Sequence, residues 1–381
     1  MVLKHLPFRA PLEKYHQKAV RLLAGHKEGD PAAIKIIHAN HSRFLDSKIV
    51  GLPRDLSNDE IRSAPFDLAD AQLTIARWHS FRDWLALAKY TLAVSTKDSP
   101  VQQFETAVDA VITGDLPLLQ TLLRQNPELV RTRSTRITNH DPAKHRATLL
   151  HYIAANGVEG YRQKTPKNAV AVAKTLLKAG AEPDALAGMY GGRCTTMSML
   201  VSSSHPAEAG VQVALVNTLI DFGAAVEARG SKKWGSPLMT ALAFGFLNTA
   251  KALVRRGAKV DDLAAAAGLG LPADAGRLLK TATPKSRHRA LALAAQQGHA
   301  AIVKLLLDAG ENPNRYNPRG SHAHSTPLHQ AVCAGRMSVV RLLVGRGARL
   351  DMKDKIYQGS ALDWAIHCGQ PAMEKYLAAL H

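Results

Sequence analysis

Seventeen of the 381 residues are histidine and three are cysteine, so metal binding, acid–base chemistry and thiol chemistry are the first possibilities to weigh. His322, His324 and His329 lie close together, and His38 and His41 stand about one helical turn apart. Neither group has the Cys/His or H-E-x-x-H spacing that brings zinc ligands onto one face, so no metal is expected. Cys194, Cys333 and Cys368 are widely separated and lack C-x-x-C spacing, which fits a reduced, cytoplasmic protein. There is no nucleophile with a partnered base in a local pattern, no phosphate-cradling G-x-x-x-x-G-K-[ST] and no dinucleotide fingerprint after a strand. Gly268, Gly270 and Gly276 fall in an Ala-rich helical stretch and read as packing glycines. The expectation is a protein without catalytic residues or cofactor.

Charge offers a second kind of chemistry. Lys and Arg total 49 against 31 Asp and Glu, a formal +18, which would attract nucleic acid, an anionic membrane or an acidic protein. Three basic clusters stand out: Arg131, Arg133, Arg136, Lys144, His145 and Arg146; Arg162, Lys164 and Lys167; and Lys280, Lys285, Arg287, His288 and Arg289. Each reads either as a solvated face or as an anion-binding patch. No run approaches the roughly 20 apolar residues needed to cross a bilayer, and Met1 to Leu12 lacks the apolar stretch of a signal peptide.

These residues must be positioned by the elements around them, and those elements repeat. From Thr326 the chain reads TPLHQAVCAGRMSVVRLLVGRGARLD. Thr326 suits a helix N-cap and Pro327 a first helical position. Ala331 lets two helices approach, Gly335 turns the chain, and Val339, Val340, Leu342 and Leu343 face a core. Gly347 supplies the left-handed residue that ends the second helix. The pattern resembles the ankyrin repeat, whose T-P-L-H-x-A signature it matches nearly letter for letter. The same offset, a Thr-like position followed nine residues later by a turn residue, recurs at Ser360, Ser236 and Thr148, and more loosely at Arg289. Degenerate copies start near Glu105, Thr195 and Asp261, giving about eight by the family's template. The starts are spaced 43, 47, 41, 25, 28, 37 and 34 residues apart. Long copies must therefore carry insertions: residues 131–147 in a finger, and 157–168 and 202–212 between the helices of a pair. The stretch 261–289 holds two compressed copies almost without fingers.

The resemblance implies an all-α fold, an ankyrin-repeat solenoid over 104–381 with short β-hairpin fingers. Residues 1–103 do not fit the repeat and read as a helical capping region. There, Pro11 to Ala24 pairs with Pro31 to Phe44, and Asp67 to His79 with Ser80 to Val94; residues 45–65 are read as loops. Ser80 with Asp83 reads as a capping box, and Trp78, Phe81, Trp84, Leu85 and Leu87 as an apolar face. The string DAQLTIARWHSFRDWLALAKY is similar to a helical segment that often precedes the repeats in bacterial ankyrin-repeat proteins. A cap that shields the first repeat's core is the plain reading, and a separate docking module the other.

In such a stack the fingers project, so Tyr190, Trp234, Tyr316 and Tyr357 stand at finger tips, where a ring either meets a partner or stiffens the next finger. Ala155, Asn156, Ala243, Phe244, Gln296, Gln297, Cys333, Ala334, His367 and Cys368 fall on the concave face by the same template. The uncharged character of that face suits a protein better than a phosphate backbone. The sequence therefore points to a non-catalytic interaction scaffold, monomeric, binding an unknown and possibly acidic protein. The candidate contact residues are Trp234, Tyr357, Tyr190, Phe244, Arg133, Arg136, Lys232, Lys233, Arg162 and Lys164. The alternative is a nucleic-acid or polyanion binder working through the basic surface. A third reading makes the N-terminal region an enzyme or effector module and the repeats its targeting arm.

Overall fold

The structure, a computed structural model, describes residues 4–47, 52–227 and 235–380. Two compact units divide between Val211 and Gln212. This line of compactness differs from the one at 103/104, which marks where the repeat template begins.

The first unit opens with helices Leu12–Glu28, Pro31–Asn40, Asn58–Ser63, Leu68–Trp78 and Trp84–Ser95. They share one core that includes Tyr15, Leu22, Ile34, Ile37, Ile61, Ile75, Phe81 and Leu87. Three local features differ from expectation. Helix Asn58–Ser63 forms within the stretch read as loop, because Ser57 and Glu60 make a reciprocal capping box and Ile61 drops into the core. The last of these helices is capped by Asp83, whose carboxylate accepts the Ala86 N–H at 2.8 Å. Ser80 instead occupies a left-handed turn position. Leu85 points outward at 60 % exposure and belongs to no core.

The first repeat follows as Pro100–Thr113 and Leu116–Gln125, turned at Gly114. Gly114 has φ 79°, and a Cβ there would stand 2.8 Å from that of Pro166. The glycine is thus required both by conformation and by the approach of the 157–168 insertion. A hairpin-like finger closes with Ser134 N–H to Ala147 O at 2.8 Å and Thr138 N–H to Ala143 O at 2.7 Å. The second repeat has only a short 3-10 helix, Leu149–Ala154, before its insertion, then helix Ala169–Lys178. Its successor's finger is the antiparallel pair Ala187–Met189 and Gly192–Cys194, and helices Thr196–Leu200 and Ser204–Glu208 close the unit.

The second unit begins with helix Gln212–Asp221 and continues in five helix pairs. They are Pro237–Ala243 with Leu247–Arg255, Leu263–Leu269 with Pro272–Leu279, Pro284–Gln297 with Ala300–Asp308, Pro327–Cys333 with Met337–Gly345, and Ala361–His367 with Pro371–Ala378. The compressed pair lacks a finger, with only Lys280 to Thr283 linking it to the next repeat. Its inner helix Leu263–Leu269 is mostly alanine and fully buried, and it packs against the Ala- and Leu-rich C-terminal half of Pro284–Gln297, so helices approach closely. A Cβ on Gly268 would reach Leu242 at 3.0 Å, which makes it a packing glycine as read; Gly276 faces open space and is not one.

The T-P-L-H turn explains itself in atoms. His329 Nδ1 accepts the Thr326 N–H at 3.3 Å and lies 2.7 Å from its hydroxyl, while Nε2 reaches Gly359 O of the next repeat at 3.2 Å. One imidazole therefore both caps its own helix and bonds its neighbour. Cys333 and Cys368, read as reduced thiols, are joined by a disulfide with Cα atoms 5.3 Å apart. Their separation of 35 residues is close to one repeat, so successive inner helices bring the pair together. Cys194 is buried and outside any disulfide, its thiol donating to Met189 O at 3.5 Å.

Candidate functional site

In the second unit a chain of rings runs across several repeats. Phe244 caps the C-terminus of helix Pro237–Ala243 and is 47 % exposed. The His322 ring lies 6.2 Å from it, held by a bond to Ala243 O at 2.7 Å. His324 follows at 6.1 Å from His322, and its ring in turn stands 6.5 Å from Tyr357 and 5.9 Å from Trp364. Burial lowers the His324 pKa, which favours the uncharged ring.

Tyr357 is 68 % exposed, yet its backbone is rigidly placed. The buried Asp354 carboxylate accepts the N–H groups of Ile356, Tyr357 and Gly359 and the indole N–H of Trp364, all between 2.7 and 3.1 Å. Burial acts to raise the Asp354 pKa, but these donors outweigh it and hold the group below its ordinary value. Ile366, 55 % exposed, adds apolar surface on the next helix. An exposed aromatic on a pre-ordered turn loses little freedom when it is covered, which is the property of an interface anchor.

The other finger rings turn inward. The Tyr190 hydroxyl donates to Asn156 Oδ1 at 2.9 Å and Gly157 O at 2.8 Å, and burial pushes its pKa up to about 12. Tyr316 bonds Lys353 O at 2.7 Å beneath the Lys355 ammonium. Both stiffen neighbouring fingers, so Tyr190 is not positioned to meet a partner. The concave-face amides are likewise spent within the stack: Asn156 on Met199 O, Gln296 on Ala243 O and Gln297 on Leu242 O. Trp234, Lys232 and Lys233 lie outside the described residues.

Two candidate arginines of the basic clusters need correction. Arg136 and Arg162 are 2 % and 4 % exposed, at the heart of a charge cluster in the first unit. Glu159 takes Arg136 at 2.6 Å, Arg162 at 3.1 Å, His145 at 2.8 Å and the Tyr152 hydroxyl at 3.0 Å, while Arg162 also pairs with Glu105 at 2.6 Å. The Arg136 guanidinium further stacks over Phe81 and Tyr90, 4.2 and 4.7 Å from their centroids. Burial acts to raise the Glu159 pKa, but the two guanidiniums overcome it and hold the carboxylate well below its usual range. Burial also opposes the charge on each arginine, and Glu159 and Glu105 restore it. The space beside Glu159 and Arg162 is about 20 Å3, room for one water and not for a substrate. The insertion and the finger thus lock onto the N-terminal helices rather than offering arginines to solvent. Local spacing signals only the Arg162–Glu159 pair, three residues apart; Glu159 lies 23 residues from Arg136, and Glu105 lies 57 from Arg162. Arg133 is partly buried on main-chain carbonyls, and Lys164 remains exposed. In the third cluster His288 is buried on Tyr316 O and Arg289 bonds Arg319 O.

Among the described residues no three His, Cys, Asp or Glu side chains are grouped to hold a metal, and no helix is long and apolar enough to cross a membrane. His38 instead bonds Arg54 O, and His41 bonds Asp70.

Comparison with known proteins agrees with the geometry of the repeats. The family model described as Ankyrin repeats matches three times, over residues 205–317, 263–354 and 291–381. The fold is therefore all-α, an ankyrin-repeat solenoid behind a helical N-terminal region. Among curated proteins, the chain is 36 % identical over 92 residues to a putative E3 ubiquitin-protein ligase, XBAT31, of Arabidopsis thaliana, covering 24 % of this chain and 19 % of that protein. It is 36 % identical over 81 residues to the potassium channel GORK of the same plant, covering 21 % and 9 %. A probable E3 ubiquitin-protein ligase of rice, XBOS32, is 39 % identical over 89 residues, covering 23 % and 17 %. The matches span less than a fifth of each of these proteins, whose names describe different activities. The crystal structure of the human ASB11 ankyrin repeat domain is 21 % identical with a TM-score of 0.37, covering 72 % of this chain and 97 % of that one. Ankyrin repeats are in general protein–protein interaction modules.

Proposed function

We propose that this protein is a non-catalytic, monomeric scaffold or adaptor that captures a protein partner on the ring chain of its second unit. The observation that carries the reading is the ring line Phe244–His322–His324–Tyr357, exposed at its two ends, Phe244 and Tyr357, and half-buried at the two histidines between them. Phe244 and Tyr357 are the anchors; Trp234, Lys232 and Lys233, outside the described residues, stay candidates on sequence grounds alone. Such anchors contribute roughly 2 kcal/mol or more each. A cytoplasmic site of action belongs to the same proposal.

The test is affinity capture from native lysate, identification of the partner, and titration of that partner against wild type and the Phe244→Ala/Tyr357→Ala double variant. A loss of affinity of about 100-fold or more is expected. Equal binding by the double variant removes this surface from the reading. A captured species that is nucleic acid, with affinity falling steeply as salt rises, would favour the polyanion alternative.

A further inference from the structure

The first unit holds a second surface of different chemistry. A groove of about 480 Å3 runs between the finger of residues 134–147 and the following hairpin. Its volume is in the range that takes a small ligand or a few residues of peptide. The two fingers are bonded to each other, Gly188 N–H to His145 O at 2.7 Å, so the groove has a paired-backbone floor. Four cations line it: Arg133, Lys144, Arg146 and Arg193. None has a carboxylate partner among the described ion pairs. This sets them apart from Arg136 and Arg162, whose charges are matched one for one by Glu159 and Glu105.

Arg133 is the best-placed of the four. Its Nη1 donates to Arg146 O at 2.9 Å and to Leu186 O at 2.7 Å, which ties one finger to the other and holds the guanidinium still. The neutral carbonyls leave its charge uncompensated, and Nη2 and Nε make no bond to another described group. Arg146 sits at φ 54°, a left-handed conformation unfavourable for a side-chain-bearing residue, which here accompanies the presentation of its carbonyl to Arg133. A fixed guanidinium with donors to spare is preorganised for a carboxylate. Glu182 and Asp184 also line the groove. A continuous phosphate backbone meets that like charge throughout, whereas an acidic peptide spaces its carboxylates between neutral amides.

We infer that this groove binds an extended acidic segment of a protein partner, with Arg133 and Arg193 taking its carboxylates. The inference rests on the scaffold reading above and adds a second contact region of defined chemistry.

The probe is a fluorescein-labelled peptide of alternating Asp-Glu and Gly-Ser pairs, followed by anisotropy with the full chain. An oligothymidylate of equal charge serves as competitor. Lys144→Glu/Arg193→Glu alters exposed side chains and leaves the fold intact; Arg133→Gln tests the anchored guanidinium. Each is expected to weaken the peptide at least about tenfold. Lys164→Glu/Lys167→Glu, which shifts net charge equally elsewhere, is expected to change it less than about twofold. Equal weakening by the control pair, no measurable binding, or stronger binding of the oligothymidylate each overturns the proposal. Phe244→Ala/Tyr357→Ala leaves peptide binding unchanged, so failure of the ring-chain surface and failure of the groove are read separately.

Discussion

The two units solve the same problem, stacking short helix pairs, with opposite materials. The second buries Ala264 to Ala267 and, alternating with Leu291 and Leu293, Ala290 to Ala295, and an uncharged amide such as Gln297 meets Leu242 O of another repeat. The first carries long insertions, and these bring Arg136, Glu159 and Arg162 inside together with Glu105 from the first repeat. An insertion adds surface that must be buried somewhere, and polar residues within it have to be satisfied there. The comparison teaches that regular spacing gives a core of shape, whereas irregular spacing gives a core of specific partners. The second kind is poorer in net stability and richer in what a single substitution can break.

The largest expected effect follows from that distinction. Arg136→Met leaves Glu159 with one guanidinium fewer in a buried site and should cost about 3–5 kcal/mol. Urea denaturation measures the loss, and hydrogen exchange should place it in residues 104–211 ahead of 263–380. Arg136→Met combined with Glu159→Leu should recover part of it. A single-variant cost below about 1 kcal/mol would mean that the cluster is not the keystone of the first unit.

In the second unit the corresponding handle is covalent. The Cys333–Cys368 bond closes a loop of about one repeat, and opening it with dithiothreitol or by Cys333→Ser/Cys368→Ser should lower stability by about 3–4 kcal/mol. Faster exchange is expected in helices Pro327–Cys333 and Ala361–His367. An unchanged urea midpoint would show that packing alone holds the last two repeats.

The smallest effect per group is titration. His79 donates through Nδ1 to Ile75 O and accepts the Leu6 N–H at Nε2, so its neutral form is built in. Burial lowers its pKa to about 3, and burial likewise lowers His151 to about 4. A folded pKa below the unfolded value near 6.5 means that the unfolded chain takes up protons first. The stability these rings contribute is full above about pH 6.5 and is lost as pH falls toward 4 and 3, roughly 2 kcal/mol for each ring between pH 7 and 5. Glu159, held low, adds its own loss only below its unfolded value of about 4.5. Urea midpoints at the two pH values check this, with His79→Phe expected to flatten the slope. An unaltered slope in that variant would show that His79 is not among the titrating groups.

Much of the architecture was legible because it is local. The Thr326–His329 turn and the left-handed Gly347 each depend on a few adjacent residues. The fingerless stretch of 261–289 followed from spacing, since a shortened repeat has nowhere to keep a hairpin. The candidate site was legible only in fragments. Tyr357 and Phe244 stood out as an aromatic at a tip and one on a face, but their connection through His322 and His324 depends on how successive fingers lie side by side. Arg136 and Arg162 looked like surface charge because sequence shows their type and not the burial imposed by partners far along the chain. Cys333 and Cys368 looked solitary for the same reason, being neighbours by stacking and strangers by number. Periodicity and turn chemistry act over a few residues and can be read from order alone. Burial, ion pairing and the alignment of rings act between repeats, and insertions make that register impossible to count from the chain.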